Sequence, residues 1–261
     1  MEKNTEIKVP SLSKALKLLD YFDDSHKACG VTELARYAGL PKSSVQNIVS
    51  TFKAHGYLVQ DSRTRKYMLG GEIVSLFSKY KRTRNLNYRV TSYLQTIRDS
   101  YDVEAYLAEL DTSKWNIIYL ASEQPKRGDA SFVSKVGQEA PIHATAAGKI
   151  LMGLSPEEIR ETYFKFMEEK APEAYTKSTV TDHKKLMGEM TEAAYRGYAL
   201  CEGEYHEDIY AISVPVIVGF DDVRYAIGAI KKGSFYDYVK KELIGDLTDC
   251  ARKMGSFLQN K

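Results

Sequence analysis

The 261-residue chain has little of what staples or anchors a protein. Its three cysteines, Cys29, Cys201 and Cys250, lie far apart. They do not make a disulfide framework, and a reducing cytoplasm suits them best. The first ten residues, MEKNTEIKVP, hold no apolar signal region. The longest apolar run, AISVPVIVGF, is far below the ~18 residues of a membrane helix. Repeats and low-complexity tracts are missing. So is net charge, at +2. What is present is a hydrophobic fraction of 43%, enough for a core in one large or two modest domains.

The near-neutral total hides an asymmetry. Residues 1–85 carry 15 Lys and Arg against 8 Asp and Glu, and the remainder 22 against 27. A basic first third beside an acidic remainder points to a polyanionic partner for the first part alone.

In SLSKALKLLDYF, residues Leu12, Ala15, Leu16, Leu19 and Phe22 repeat at helical spacing. GVTELARYAGLPKSSVQNIVSTFKAHGYL then reads as a helix with Thr32 as N-cap, a turn at Gly39, and a second helix opened by Pro41. Val45, Ile48, Val49 and Phe52 give that second helix an apolar stripe. Two helices joined by a tight glycine turn are the helix-turn-helix pattern. The other face holds Lys42, Ser43, Ser44, Gln46, Asn47, Ser50, Thr51 and Lys53, without an acid. Ser and Lys suit phosphates, whereas Gln and Asn suit adenine edges. A merely solvated helix would mix Glu with its Lys. Two β-prone runs flank DSRTR, which predicts a hairpin wing carrying Arg63, Arg65 and Lys66 to the DNA backbone or minor groove.

Ile73, Leu76, Phe77 and Tyr80 predict a linker helix, and Leu86, Val90, Tyr93, Leu94, Ile97 and Tyr101 another amphipathic helix. From Val103 the texture changes. Strands are expected at 103–110, 115–123, 130–137, 210–218 and 223–233, the last two joined by a GFDD turn. Residues 155–169 read as a helix with Ser155 and Glu158 as a capping box and Pro156 at its first position, and 182–197 as a helix closed by Gly197. Residue 144 is taken as the start of a further helix. A long C-terminal helix presents Val239, Leu243, Leu247, Cys250, Met254 and Phe257 on one face, which makes Cys250 a core residue. The whole reads as α+β, divided into a winged helix-turn-helix at 1–70, a linker helix at 71–85, and a larger domain at 86–261.

CEGEYHEDIYAISVPV raises the remaining question. Cys201, Glu202, Glu204, His206, Glu207 and Asp208 crowd together as in a metal or thiol centre, with His143 as a distant partner. Cys-x4-His is not a structural zinc spacing, however, and a thiol nucleophile needs a base that sequence does not place. An acidic loop before a buried strand and the wall of a ligand pocket are the other two readings. No metal or cofactor is expected.

SLSKALKLLDYF, VTELARYAGLPKSSVQNIVSTFKAHGYLVQD and the KYMLG closing the wing together resemble the IclR-type bacterial transcriptional regulators. The resemblance continues through GQEAPIHATAAGKILMGL and RGYALCEGE followed by AISVPV. It implies a GAF/PAS-like α+β effector domain that binds a small molecule. It also implies homodimers or tetramers on palindromic double-stranded operators, and no enzyme activity. Aligned on Pro215 and Val216, Cys201 stands where the family usually has Asp, and Ala211 where it has Cys. Gly228 and Ile230 replace residues that are often hydroxylic. With Phe132, Ala140, Ala146 and Ala147 as the opposite lining, the expected pocket is more apolar than one for two- or three-carbon acids. His143 either fastens the loop or touches the ligand. The competing classes are a thiol or metal enzyme centred on Cys201 with His206 or His143, and a DNA binder that senses nothing.

Overall fold

A computed structural model describes residues 7–86, 88–127, 134–218 and 222–258, and the side chain of Asp222 is not described. The chain forms two compact units, Met1–Arg84 and Asn85–Lys261.

The first unit opens with α1 (Pro10–Leu19), α2 (Val31–Ala38) and α3 (Lys42–Ala54). A short hairpin of β1 (Leu58–Gln60) and β2 (Tyr67–Leu69) follows, then α4 (Gly71–Thr83). Leu18, Leu34, Val45, Val49, Leu58 and Tyr67 are its buried core. The stripe expected on α1 is narrower than the spacing suggested. Leu18 is buried with Ala15 and Leu19 beside it, whereas Leu12 and Leu16 are more than half exposed. So small a unit has apolar surface to cover only one edge of the helix. The cap of α2 also differs from expectation. Gly30, not Thr32, is its N-cap, and its N–H donates to the Glu33 carboxylate at 2.5 Å. Extended glycine serves as well there as a hydroxyl, because Glu33 reaches back to close the turn. Gly39 ends α2 in the left-handed region. Gly70, which closes the wing, could not be anything larger: a Cβ would lie 2.1 Å from the Gly56 carbonyl oxygen.

The second unit is a six-stranded antiparallel sheet in the order β5-β4-β3-β8-β7-β6. After α5 (Tyr88–Tyr101) come β3 (Glu104–Asp111), β4 (Asn116–Glu123) and β5 (Glu139–Pro141). Next are α6 (Ala146–Gly153), α7 (Glu157–Glu169) and α8 (His183–Arg196). The chain ends with β6 (Ala199–Glu202), β7 (Ile209–Val218), β8 (Asp222–Lys232) and α9 (Asp237–Leu258). Tyr106 and Ala108 join Ala146, Ala147, Ile150 and Leu151 of α6 in one cluster. Ala105 and Leu107, also buried, face the other way, toward α5. A sheet covered on both faces explains why Glu104–Ala108 is an unbroken buried run.

Four local expectations do not hold. Ser155 caps nothing: its hydroxyl donates to the Leu151 carbonyl at 2.8 Å, and Pro156 is the N-cap of α7. The helix expected from residue 144 starts at Ala146, because Thr145 is extended and its Oγ1 accepts from the Gly148 N–H. Of the strand expected at 130–137, residues 130–133 lie outside the described residues, and Lys135–Gln138 is a turn. At the C-terminal end Leu258 is buried and Phe257 only partly so. The turn expected at 219–222 lies mostly outside the described residues, but Val218 pairs with Asp222 across it. Two short edge strands, β5 and β6, were not expected, since a few paired residues carry no periodicity.

Candidate functional site

In the first unit, Lys42, Ser43, Ser44, Gln46, Asn47, Ser50, Thr51 and Lys53 are all exposed, while Val45 and Val49 of the same helix are buried. The helical repeat sets Ser43, Asn47 and Ser50 opposite that buried pair. Gln46 and Lys53 lie on the flank toward the wing. The Gln46 amide donates to the Ser50 hydroxyl at 3.2 Å and to the Tyr67 hydroxyl at 3.3 Å. Lys53 donates to Gln60 at 3.2 Å, and Gln60 in turn donates to the Arg65 carbonyl at 3.0 Å. The exposed Thr51 hydroxyl bonds back to its own helix, donating to the Asn47 carbonyl at 2.9 Å.

The wing tip holds Arg63, Arg65 and Lys66, all exposed. Asp61 builds the turn: its Oδ1 accepts from the Thr64 N–H at 2.6 Å and the Arg63 N–H at 3.1 Å. These backbone donors hold its carboxyl below the ordinary range. Arg65 turns the chain with a φ of 61°. An acid-free polar helix face beside a cationic hairpin is fit to meet a polyanion.

In the second unit a cavity of about 210 Å³ lies between the sheet and the start of α6. Tyr106 and Tyr119 form its floor, their rings edge to face at 5.2 Å. Thr145 and Ala146 close one side, Cys201, Tyr205 and His206 another, and Ile209, Ala211 and Ile230 the third. Ser134 and Gln138 complete it. Of the lining expected from sequence, Ala146, Cys201, Ala211 and Ile230 therefore lie on this cavity. Ala140 and Ala147 are packed in the core behind it. Gly228 lies beneath Tyr106, His143 stands aside, and Phe132 is outside the described residues.

Tyr106 and Gly228 form a matched pair. They face each other across β3 and β8, and a Cβ on residue 228 would lie 2.4 Å from the Tyr106 hydroxyl. The phenol thus fills the room a side chain would take, and it hydrogen-bonds Ser213 on β7. Burial pushes the Tyr106 and Tyr119 hydroxyls well above the ordinary phenol range, so both stay protonated. The lining is consequently mixed rather than bare: Tyr106, Tyr119, Ser134 and Thr145 bring hydroxyls that motif alignment did not reveal. A lone Tyr in each of the apolar runs of β3 and β4 is the one signal that could have singled out Tyr106 and Tyr119, since a buried phenol needs a polar partner.

Residues 201–208 are held from behind. Lys149 of α6, 3% exposed, meets Glu204 at 2.5 Å and Glu189 of α8 at 2.8 Å. Burial opposes the Lys149 charge, but Glu204 and Glu189 outweigh it and raise its pKa. Thr179 donates to the Glu204 carbonyl at 2.6 Å and Thr176 to the Gly203 carbonyl at 2.7 Å. The buried Cys201 thiol donates to the Ala144 carbonyl at 3.2 Å, and burial pushes it up to about 11. A thiol so raised is a packing group, not a nucleophile. Among the described residues no group of three His, Cys, Asp or Glu could hold a metal ion. His143 is not among the described residues that line the cavity; its Nε2 lies 2.9 Å from the Glu173 carbonyl and its ring stacks on Tyr175. Burial lowers its pKa, so it is neutral and donates to that carbonyl. No described helix is long and apolar enough to cross a membrane.

Family models match both units: the IclR helix-turn-helix domain over residues 11–62, and the bacterial transcriptional regulator IclR C-terminal domain over 78–256. The chain belongs to the IclR family of transcriptional regulators. It is 26% identical over 223 residues to the transcriptional repressor IclR of Escherichia coli K12, covering 85% of this chain and 78% of that protein. Its fold is shared with an IclR regulator from Alicyclobacillus acidocaldarius, with a TM-score of 0.84, 21% identity, and coverage of 97% of this chain and 100% of the other. It is shared too with an IclR homologue from Microbacterium hydrocarbonoxydans complexed with 4-hydroxybenzoate, with a TM-score of 0.81, 19% identity, and coverage of 96% and 100%. The α+β fold and the helix-turn-helix expected from sequence hold, and so does the expectation of a regulator rather than an enzyme.

Proposed function

We propose that the chain is a cytoplasmic homodimer, or a pair of such dimers, that binds a palindromic operator and changes its affinity when a small molecule fills the cavity of the second unit. Asn47 and Gln46 read base edges. Lys42, Ser43, Ser44, Ser50, Thr51 and Lys53 hold phosphates, and Arg63, Arg65 and Lys66 hold the wing to the backbone. The observation that carries this reading is the exposed, acid-free face of α3 with the wing bonded to its flank through Gln46–Tyr67 and Lys53–Gln60. The effector is larger than a two- or three-carbon acid. A small buried carboxylate would find hydroxyls but no Lys or Arg among the described lining of the cavity, and an unneutralised buried charge is costly. A hydroxyl-bearing wall with an apolar side suits a ring or another compact uncharged body.

The test is a gel shift on an operator selected from random DNA. Asn47→Ala should cost about 1–3 kcal/mol on the selected site and relax preference at one position. Lys53→Ala should weaken all sequences alike and reduce the salt dependence. If both variants bind as the parent does, the assignment of α3 is wrong.

A further inference from the structure

The two amide side chains on the polar face of α3 are not equivalent. Asn47 is exposed, and neither end of its amide has a partner among the described residues. Gln46 is exposed too, but its Nε2 donates to the Tyr67 hydroxyl at 3.3 Å and to the Ser50 hydroxyl at 3.2 Å. Those two bonds take both of its N–H groups. Its Oε1 has no partner among the described residues. An amide whose nitrogen is engaged has only an acceptor left to offer.

Tyr67 is a fixed post for that amide. It is 2% exposed and belongs to the core of the first unit with Leu34, Val45 and Val49. Its N–H donates to the Cys29 carbonyl at 2.8 Å, and its carbonyl accepts from the Cys29 N–H at 2.9 Å. Across the hairpin it pairs with Gln60, to which Lys53 of α3 donates at 3.2 Å. Gln46 and Lys53 stand two turns apart on one flank of the helix. Helix and wing are therefore tied at two points, and the upper tie holds a base-reading side chain.

Base edges make this matter. In the major groove adenine offers an acceptor and a donor, and a whole Asn or Gln amide pairs with both. Cytosine offers only its amino donor, while guanine offers only acceptors and thymine an acceptor and a methyl group. A side chain that presents an acceptor alone meets the amino group of adenine or cytosine and has nothing to give guanine or thymine.

We propose that Gln46 reads through its carbonyl alone and selects an amino base, adenine or cytosine, with little distinction between them. Asn47, free at both ends, reads adenine as a pair of bonds. Tyr67 is the positioning residue: it makes no DNA contact, and its hydroxyl sets which end of Gln46 faces the groove. This deepens, and rests on, the assignment of α3 as the recognition helix.

Gel shifts of the full chain on the selected operator test it, with all four base pairs placed in turn at the position whose preference Gln46→Ala removes. The parent should bind the adenine and cytosine versions about equally, each about fivefold better than the guanine and thymine versions, the size of one hydrogen bond. Gln46→Glu keeps an outward acceptor and can accept from the Tyr67 hydroxyl, so it should keep that order. Tyr67→Phe keeps the buried ring and frees the amide nitrogen. Adenine should then lead cytosine by about fivefold, with affinity for random DNA as in the parent. A hydroxyl of merely structural role would leave the order of the four bases unchanged, and that result in Tyr67→Phe would overturn the proposal. So would a parent that prefers guanine or thymine here, with Gln46→Glu reversing the order, because the amide nitrogen would then face the groove. If Gln46→Ala alters no preference while Asn47→Ala relaxes one, the proposal falls and α3 stands as the recognition helix. If neither alters any preference, both readings fall.

Discussion

The two units handle polar groups in opposite ways. On α3 the polar side chains stand in water, each within a turn of the next, and few have a protein partner beyond the wing. Around the cavity the polar groups are buried and matched: Tyr106 with Ser213, Lys149 with Glu204 and Glu189, Cys201 with Ala144. The first arrangement leaves hydrogen-bonding capacity for another molecule. The second spends it on fixing a wall. A surface group changed on α3 should therefore alter binding and spare folding, while an interior partner removed near the cavity should do the reverse.

Lys149→Met breaks this contrast hardest. It leaves Glu204 buried without its cation, and removing one member of a buried pair costs about 3–5 kcal/mol. A domain of this size should lose on the order of 10 °C in melting temperature, measured by calorimetry. Next comes Gly228→Ala, which drives a methyl into the Tyr106 phenol and costs about 1–3 kcal/mol. Adding Tyr106→Leu should recover part of that loss and enlarge the cavity, whereas two independent sites would simply add. Ser43→Ala and Asn47→Ala belong to the other side of the comparison. Each should change stability by less than about 0.5 kcal/mol and still weaken operator binding.

The smallest effect is a pH dependence. His143 has its pKa lowered by burial from 6.5. The unfolded chain therefore takes up this proton first as pH falls. The contribution of His143 is full above about 6.5 and is lost as pH drops from there through its lowered folded value. The melting temperature of the parent should fall more between pH 7 and pH 5 than that of His143→Gln, read as the difference between the two curves.

The same contrast decides what the sequence discloses. A recognition helix is contiguous, so its apolar stripe and its acid-free face are visible in a dozen residues, and Gly39 and the Asp61 turn punctuate it. The cavity is assembled from β3, β4, the start of α6, the 201–208 loop, β7 and β8, and adjacency among these is set by sheet order. Motif alignment found Ala146, Cys201, Ala211 and Ile230, because they sit in or beside recognisable stretches. Tyr106 and Tyr119 sit in runs that read only as strand, and their meeting depends on the β3–β4 register. The triad of Lys149, Glu189 and Glu204 joins residues as far as 55 positions apart, and no local pattern announces it. The misread caps at Thr32 and Ser155 have a different cause. A good capping residue states a preference, and the neighbouring Gly30 and Pro156 already met the need.

The central claim is that one chain couples a DNA-reading face to a small-molecule cavity. Its most direct test is the anisotropy of a labelled operator titrated with the full chain, with and without a saturating ligand identified by calorimetry. The account predicts a change of about 5- to 150-fold in operator Kd, the range of a coupling of ~1–3 kcal/mol. It also predicts that Ala211→Phe, which fills the cavity, abolishes the response to the ligand and not the binding to DNA. An operator Kd identical with and without bound ligand would contradict it.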